Sequence, residues 1–132
     1  MNTFLIDDDP LSNYLTENLL RLEGFSSTIF TFKSAQKALD ALLKERAGEV
    51  PTVVLLDLNM PVMNGWDFLD ALAPYRDELR DHCHIYVLTS SLALADLERA
   101  RTYELVTRLI HKPIDSKEIR AIHSQLAGLG EN

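Results

Sequence analysis

Short apolar runs alternate along the chain with longer stretches in which apolar residues recur every three or four positions, the pattern of a parallel sheet covered by helices. Five of each are predicted. The apolar runs are Thr3 to Ile6, Ser27 to Phe32, Thr52 to Leu56, His84 to Leu88 and Thr107 to Ile110, rich in aliphatic and β-branched side chains that suit a pleated strand. Helical spacing places Leu11, Tyr14, Leu15, Leu19 and Leu22 on one face of the first helix and Ala35, Ala38, Leu39 and Leu42 on one face of the second. Ile119, Ile122, Leu126 and Leu129 share a face of the last. Helix ends carry matching chemistry: Asp9-Pro10 reads as a cap followed by a first-turn proline, Ser34 as a second cap, and Gly24 and Gly48 as residues just past helix ends.

A strand buried on both faces is continuously apolar, whereas an edge strand tolerates polar residues. The first, third and fourth strands are therefore central. The second, with Ser27, Thr28 and Thr31, and the fifth, with Thr107 and Arg108, belong at the edges. The fold class that follows is α/β, a flavodoxin-like doubly wound sheet in the order 2-1-3-4-5 with helices on both faces.

At 132 residues the chain is expected to be a single domain over 1–132, with a short polar tail from about 128 and no output domain. Nothing approaches the roughly 18 uninterrupted apolar residues of a membrane span. Thirteen Lys and Arg against twenty Asp and Glu leave a net charge of −7, which argues against direct binding to nucleic acid. The single cysteine, Cys83, excludes an internal disulfide, and Met1 to Phe4 lack the basic segment and apolar run of a secretory signal, so a cytoplasmic location is expected.

In an open parallel sheet the ligand site lies beyond the carboxyl ends of the strands. The residues there are unusually polar: Asp7, Asp8 and Asp9 after the first strand, Asp57 after the third, Thr89, Ser90 and Ser91 after the fourth, His111 and Lys112 after the fifth. Carboxylates this close repel one another and stay ionised most easily beside a cation or a hard metal with oxygen ligands, roles that Lys112 and magnesium fill. Asp57 follows the apolar Val53-Val54-Leu55-Leu56, so a rigid strand presents its carboxylate, which can act as a nucleophile. Attack on phosphorus needs a divalent metal, a cation and hydrogen-bond donors around the equatorial oxygens, and the cluster offers these.

These segments resemble the receiver domain of two-component response regulators over essentially the whole chain. Phe4-Leu5-Ile6-Asp7-Asp8-Asp9 is similar to that family's first strand and acidic pair, and Leu56-Asp57-Leu58-Asn59-Met60-Pro61 with Asn64-Gly65 to its phosphoacceptor segment. Leu88-Thr89-Ser90 is similar to the fourth-strand switch and Lys112-Pro113 to the lysine-proline pair. The resemblance implies that Asp57 is phosphorylated and that Asp8 and Asp57 bind Mg2+ directly. It further implies that Asn59 contributes its main-chain carbonyl, Asp7 acts through water, Thr89 and Lys112 hold the phosphoryl oxygens, and the Lys112–Pro113 peptide is cis. The implied partners are a sensor histidine kinase or histidine phosphotransfer protein, and a downstream protein target at the face formed by the fourth helix, fifth strand and fifth helix.

The chain departs from that family at two points. Leu109 stands three residues before Lys112, where the family carries an aromatic, which removes an aromatic rotamer switch from that position. Tyr103-Glu104-Leu105-Val106-Thr107 replaces the usual Gly-Ala approach to the fifth strand. The readout is then expected in the loop and helix after the fourth strand.

Several residues have plainer readings. Asp9 is a helix cap more than a third ligand, and Asn64-Gly65 is turn chemistry in which glycine permits positive φ. His82, His84, His111 and His123 lack zinc-ligand spacing, and Cys83 reads as a small buried or edge residue. Trp66 is either a partner anchor or packing beside the acids. Arg99, Arg101, Arg108, Lys117 and Arg120 form a modest basic clustering that a solvated face also explains. Alternative functions are an unphosphorylated docking module and a haloacid-dehalogenase-like magnesium phosphatase, whose chemistry needs a second acid where Asn59 stands. A flavodoxin-like cofactor binder would need glycines where the turn after the first strand is acidic.

Overall fold

A computed structural model describes residues 1–25, 28–45, 48 and 50–130, without the side chains of 129 and 130. Ser27 and the side chain of Leu129, assigned above to the second strand and the last helix, lie outside the described residues. Five parallel strands, β1 (Asn2–Ile6), β2 (Thr28–Phe32), β3 (Val53–Asp57), β4 (His84–Thr89) and β5 (Val106–His111), form a sheet in the order β2-β1-β3-β4-β5. Its covering helices are α1 (Pro10–Leu22), α2 (Ala35–Glu45), α3 (Gly65–Leu72), α4 (Leu94–Ala100) and α5 (Ser116–Gly130). After α3 the chain continues through a 3-10 turn, Ala73–Tyr75, and one more helical turn, Arg76–Leu79. No helix among the described residues is long and apolar enough to cross a membrane. The last helix persists through Gly130, beyond the point at about 128 where the sequence suggests a tail.

Strand alternation divides the core in two. Phe4, Ile6, Val54, Leu56, Ile85 and Val87 meet Leu39, Leu42, Phe68 and Leu72 on one side of the sheet. Leu5, Val53, Leu55, Tyr86, Leu88 and Ile110 meet Leu20, Ile119 and Ile122 on the other. Burying each large side chain contributes about 1.5 to 3 kcal/mol, so β3, buried at all five positions, is the best-anchored strand. That anchoring makes its last residue, Asp57, a fixed point. The outer strand β2 is mostly exposed, and β5 carries exposed and half-buried residues, as edge positions allow.

The caps form as expected: Asp9 accepts from the Leu11 amide at 3.0 Å with Pro10 opening α1, and the Ser34 hydroxyl accepts from the Lys37 amide at 3.1 Å. Gly24 takes φ 60° just past α1. The unusual approach to β5 is absorbed in its pairing with β4. Ile85 pairs with Val106 but Tyr86 with Arg108, which leaves Thr107 as an extra residue in a bulge.

The orientation of α1 corrects the sequence reading. Its strongest apolar stripe, Leu11, Tyr14, Leu15 and Leu22, faces solvent, with Leu22 82% and Leu15 57% exposed. Leu19 is only partly buried, and the residues packed under the helix are Asn13, Thr16 and Leu20. The rotation is set at the first turn, where the Asn13 side-chain amide donates to the Asp7 carbonyl at 2.7 Å and the Ser12 hydroxyl donates to the Asp7 carboxylate at 2.7 Å. Those bonds to a buried acid fix which side of the helix faces the sheet. In α2 the predicted Ala35, Ala38, Leu39 and Leu42 face is the buried one, and in α5 Ile119 and Ile122 are buried with Leu126 packed beside them.

Candidate functional site

The carboxyl ends of β1, β3, β4 and β5 share one edge of the sheet, and the crevice between β1 and β3, whose chain connections diverge, is where polar side chains gather. Asp7 follows β1 and is almost wholly buried. One of its carboxylate oxygens accepts from the Asp9 amide at 3.0 Å. The other accepts from the Ser12 hydroxyl at 2.7 Å and the Lys112 ammonium at 2.8 Å. Asp8 is exposed at the rim. Asp57 closes β3 at 5% exposure.

Asp7, Asp8 and Asp57 each present an oxygen within 4.8 Å of the others, and the Lys112 Nζ lies 3.6 Å from Asp57. Burial, and then the charge of Asp7, push the Asp57 carboxyl up from 3.8 to about 6; Asp8 adds to the rise, while Lys112 and the Asn59 main-chain amide oppose it. Burial disfavours the Lys112 charge, but its hydrogen bond to Asp7 and the charges of Asp57 and Asp7 outweigh that and hold its pKa above the usual lysine value. Three carboxylates face one ammonium, and the donors are all oxygen. That set fits a hard divalent cation such as Mg2+.

Of the residues expected at the site, the structure thus brings together Asp7, Asp8, Asp57 and Lys112. Asn59 lies just past β3, exposed, with its amide on Asp57. Thr89 ends β4, buried, but its hydroxyl is engaged with Ser91, donating to the carbonyl at 3.0 Å and accepting from the amide at 3.2 Å. The amide of Lys112 donates to the Thr89 carbonyl at 2.7 Å, which ties the ends of β4 and β5 together, and the Lys112–Pro113 peptide is cis. Asp9 caps α1.

Asn64 and Gly65 act differently from a simple turn. Asn64, at φ −85°, caps α3 in a reciprocal pair with Asp67, each side chain accepting the other's amide at 2.9 and 3.0 Å. At Gly65 a Cβ would lie 2.9 Å from the Leu58 Cα and 3.0 Å from the Asp57 carbonyl oxygen, so the missing side chain lets α3 start against the backbone that carries Asp57. Positive φ falls instead at Val62, φ 68°, fully exposed in the same loop.

Ser12 and Asn13 are site residues that the hydrophobic pattern does not reveal, since they sit within what reads as an amphipathic helix. Their only sequence signal is polarity one turn after the acidic run. Trp66 is half-buried: its ring stacks on Tyr103 at 5.8 Å and 20°, with the Arg99 guanidinium 4.6 Å from its centroid. Tyr103 also donates to Asp70 at 2.6 Å, while Leu109 packs against the core. Among the five basic residues, Arg108 pairs with Glu118 at 2.7 Å and Arg120 with Glu23 at 3.4 Å. Burial pushes the Cys83 thiol up to about 12, leaving it unreactive.

The family model for the response regulator receiver domain matches residues 3–124. The chain is 29% identical over 118 residues to the probable methanogenesis regulatory protein FilR2 of Methanothrix harundinacea, covering 88% of this chain and 74% of that protein. It is 28% identical over 118 residues to sporulation initiation phosphotransferase F of Bacillus subtilis, covering 88% and 85%. In fold it is similar to a two-component response regulator of Cytophaga hutchinsonii, with a TM-score of 0.86 at 24% identity over 96% of each chain. A family match over nearly the whole described chain, on a sheet whose strand ends carry the acid cluster and its lysine, means that this chain belongs to the response regulator receiver domains of two-component signalling.

Proposed function

We propose that the protein accepts a phosphoryl group on Asp57 from a phosphohistidine of a sensor histidine kinase or histidine phosphotransfer protein, and passes the signal on by protein contacts in the cytoplasm. The observation that carries this reading is the convergence of Asp57 with Asp7, Asp8 and Lys112 at the end of the most buried strand. An Asp57 oxygen attacks phosphorus in line with the phosphorus–nitrogen bond. That bond breaks, its electron pair leaves with the imidazole, and the imidazole retains or takes up a proton from solvent.

Asp8, Asp57 and the Asn59 carbonyl would hold Mg2+, with Asp7 acting through water; bound there, the ion neutralises charge on the transferring oxygens. Lys112 moves the short distance from Asp7 to a phosphoryl oxygen. The Thr89 hydroxyl exchanges its Ser91 partner for another phosphoryl oxygen. Ser90 and Ser91 are small and exposed, so water reaches the phosphoaspartate and its lifetime falls short of days.

The donor has a natural landing place beside the acids, where Leu11, Tyr14 and Leu15 expose an apolar strip along α1. The downstream target is assigned to the α4–β5–α5 face, where Arg101 and Lys117 are exposed. The phosphatase alternative is not favoured, because Asn59 offers no carboxylate as a general acid. Intact mass after incubation with acetyl phosphate tests the proposal: the expected result is one phosphoryl adduct that needs both Mg2+ and Asp57. Wild type that binds Mg2+ but gains no mass would instead identify an unphosphorylated docking module.

A further inference from the structure

We infer that Ser12 is a positioning residue for phosphoryl transfer: it holds the Asp7 carboxylate in place when Lys112 leaves it. The inference rests on the phosphoacceptor reading above and deepens it. In the structure Lys112 is bound to Asp7, at 2.8 Å, and stands off Asp57, at 3.6 Å. To neutralise a phosphoryl group on Asp57 it has to give up that bond. A carboxylate that is 1% exposed and loses its charged partner is left with an uncompensated buried charge.

The oxygen that Lys112 would vacate already accepts a second donor, the Ser12 hydroxyl at 2.7 Å. The other oxygen keeps the Asp9 amide at 3.0 Å. Ser12 therefore lets Lys112 depart without stranding Asp7. Asn13 supports the same geometry from the main chain by donating to the Asp7 carbonyl at 2.7 Å, so the first turn of α1 grips both ends of this residue. Without the hydroxyl, Asp7 depends on Lys112 alone at that oxygen, binds it harder and is freer to rotate. Both effects work against a divalent cation and against transfer.

The test compares wild type, Ser12→Ala and Ser12→Thr by calorimetric titration with Mg2+ alone, by melting in EDTA and by the rate of adduct formation from acetyl phosphate. The Asn13 bond to the Asp7 carbonyl still holds the face of α1 and alanine suits a helical position, so Ser12→Ala is expected to fold and melt within a few degrees of wild type. Its Mg2+ affinity should fall about tenfold, the scale for removing a partner that orients a metal-site carboxylate, and its adduct rate should fall with it. Ser12→Thr keeps the hydroxyl and should restore both to within about twofold. Mg2+ affinity and adduct rate unchanged in Ser12→Ala, while wild type forms its adduct normally, would overturn the inference and leave the phosphoacceptor reading standing. A lowered melting point with no loss of Mg2+ affinity would overturn it too, by reducing Ser12 to a structural role. Wild type that forms no adduct would remove both readings.

Discussion

Asp57 carries a charge where burial and a neighbouring carboxylate both disfavour it, and this has a stability cost with a definite pH dependence. Its folded pKa of about 6 lies above the unfolded value near 3.8, so between those limits the folded state binds more protons, and the contribution of this group to stability falls as pH rises. Asp57→Asn removes that effect. Without divalent cations it should be more stable than wild type by about 3 kcal/mol above pH 6, an advantage that vanishes below about pH 4; melting curves across pH check this. Val62 is a second residue under strain, since a β-branched side chain at φ 68° crowds its own backbone. Val62→Gly should gain about 0.5 to 1 kcal/mol in urea unfolding, the relief outweighing the added freedom of glycine in the unfolded chain. Gly65→Ala should do the reverse. Its methyl would press on main-chain atoms of Asp57 and Leu58, so both stability and the acetyl phosphate reaction should decline, the latter about tenfold or more because the displaced group is the nucleophile.

Among the elements, α1 shows where sequence patterning and structure part. Five strands, their order and the buried faces of α2 and α5 were legible because in each the apolar residues are the ones that pack. In α1 two demands compete, and the hydrogen bonds of Ser12 and Asn13 to Asp7 prevail over the burial of Leu11, Leu15 and Leu22. Periodicity registers hydrophobicity but not a tertiary hydrogen bond, so it finds the right helix and the wrong face. A pair of substitutions separates the two sides. Leu20→Ala, beneath the helix, should cost about 2 to 4 kcal/mol, whereas Leu15→Ser on the stripe should change stability by no more than about 0.5 kcal/mol. If the stripe receives the phosphodonor, Leu15→Ser should nonetheless slow transfer from a phosphohistidine protein while leaving the acetyl phosphate reaction unchanged, a difference that parallel phosphorylation assays resolve.

For the molecule as a whole, the order β2-β1-β3-β4-β5 brings residues from positions 7 to 112 to a single edge, and the ends of three strands, β1, β3 and β5, must be in place before the cluster exists. That much was readable, since each acid or lysine directly follows an apolar run. What was hidden was the state of the parts: Lys112 resting on Asp7, Thr89 turned to Ser91, Asn64 capping α3. These are choices among hydrogen-bond partners that only the assembled fold supplies. Because the cluster depends on the fold, Mg2+ should stabilise the whole chain, by about 2.7 kcal/mol when its concentration is a hundred times its dissociation constant, and Asp57→Asn should respond less; thermal shift against Mg2+ concentration checks this. The lone tryptophan of the sequence stacks on Tyr103 and lies under the Arg99 guanidinium, where α3, α4 and the approach to β5 adjoin. An indole in that position is a native optical gauge: its emission follows how these three segments sit against one another, so a change confined to them is visible without a label even when the sheet beneath does not move.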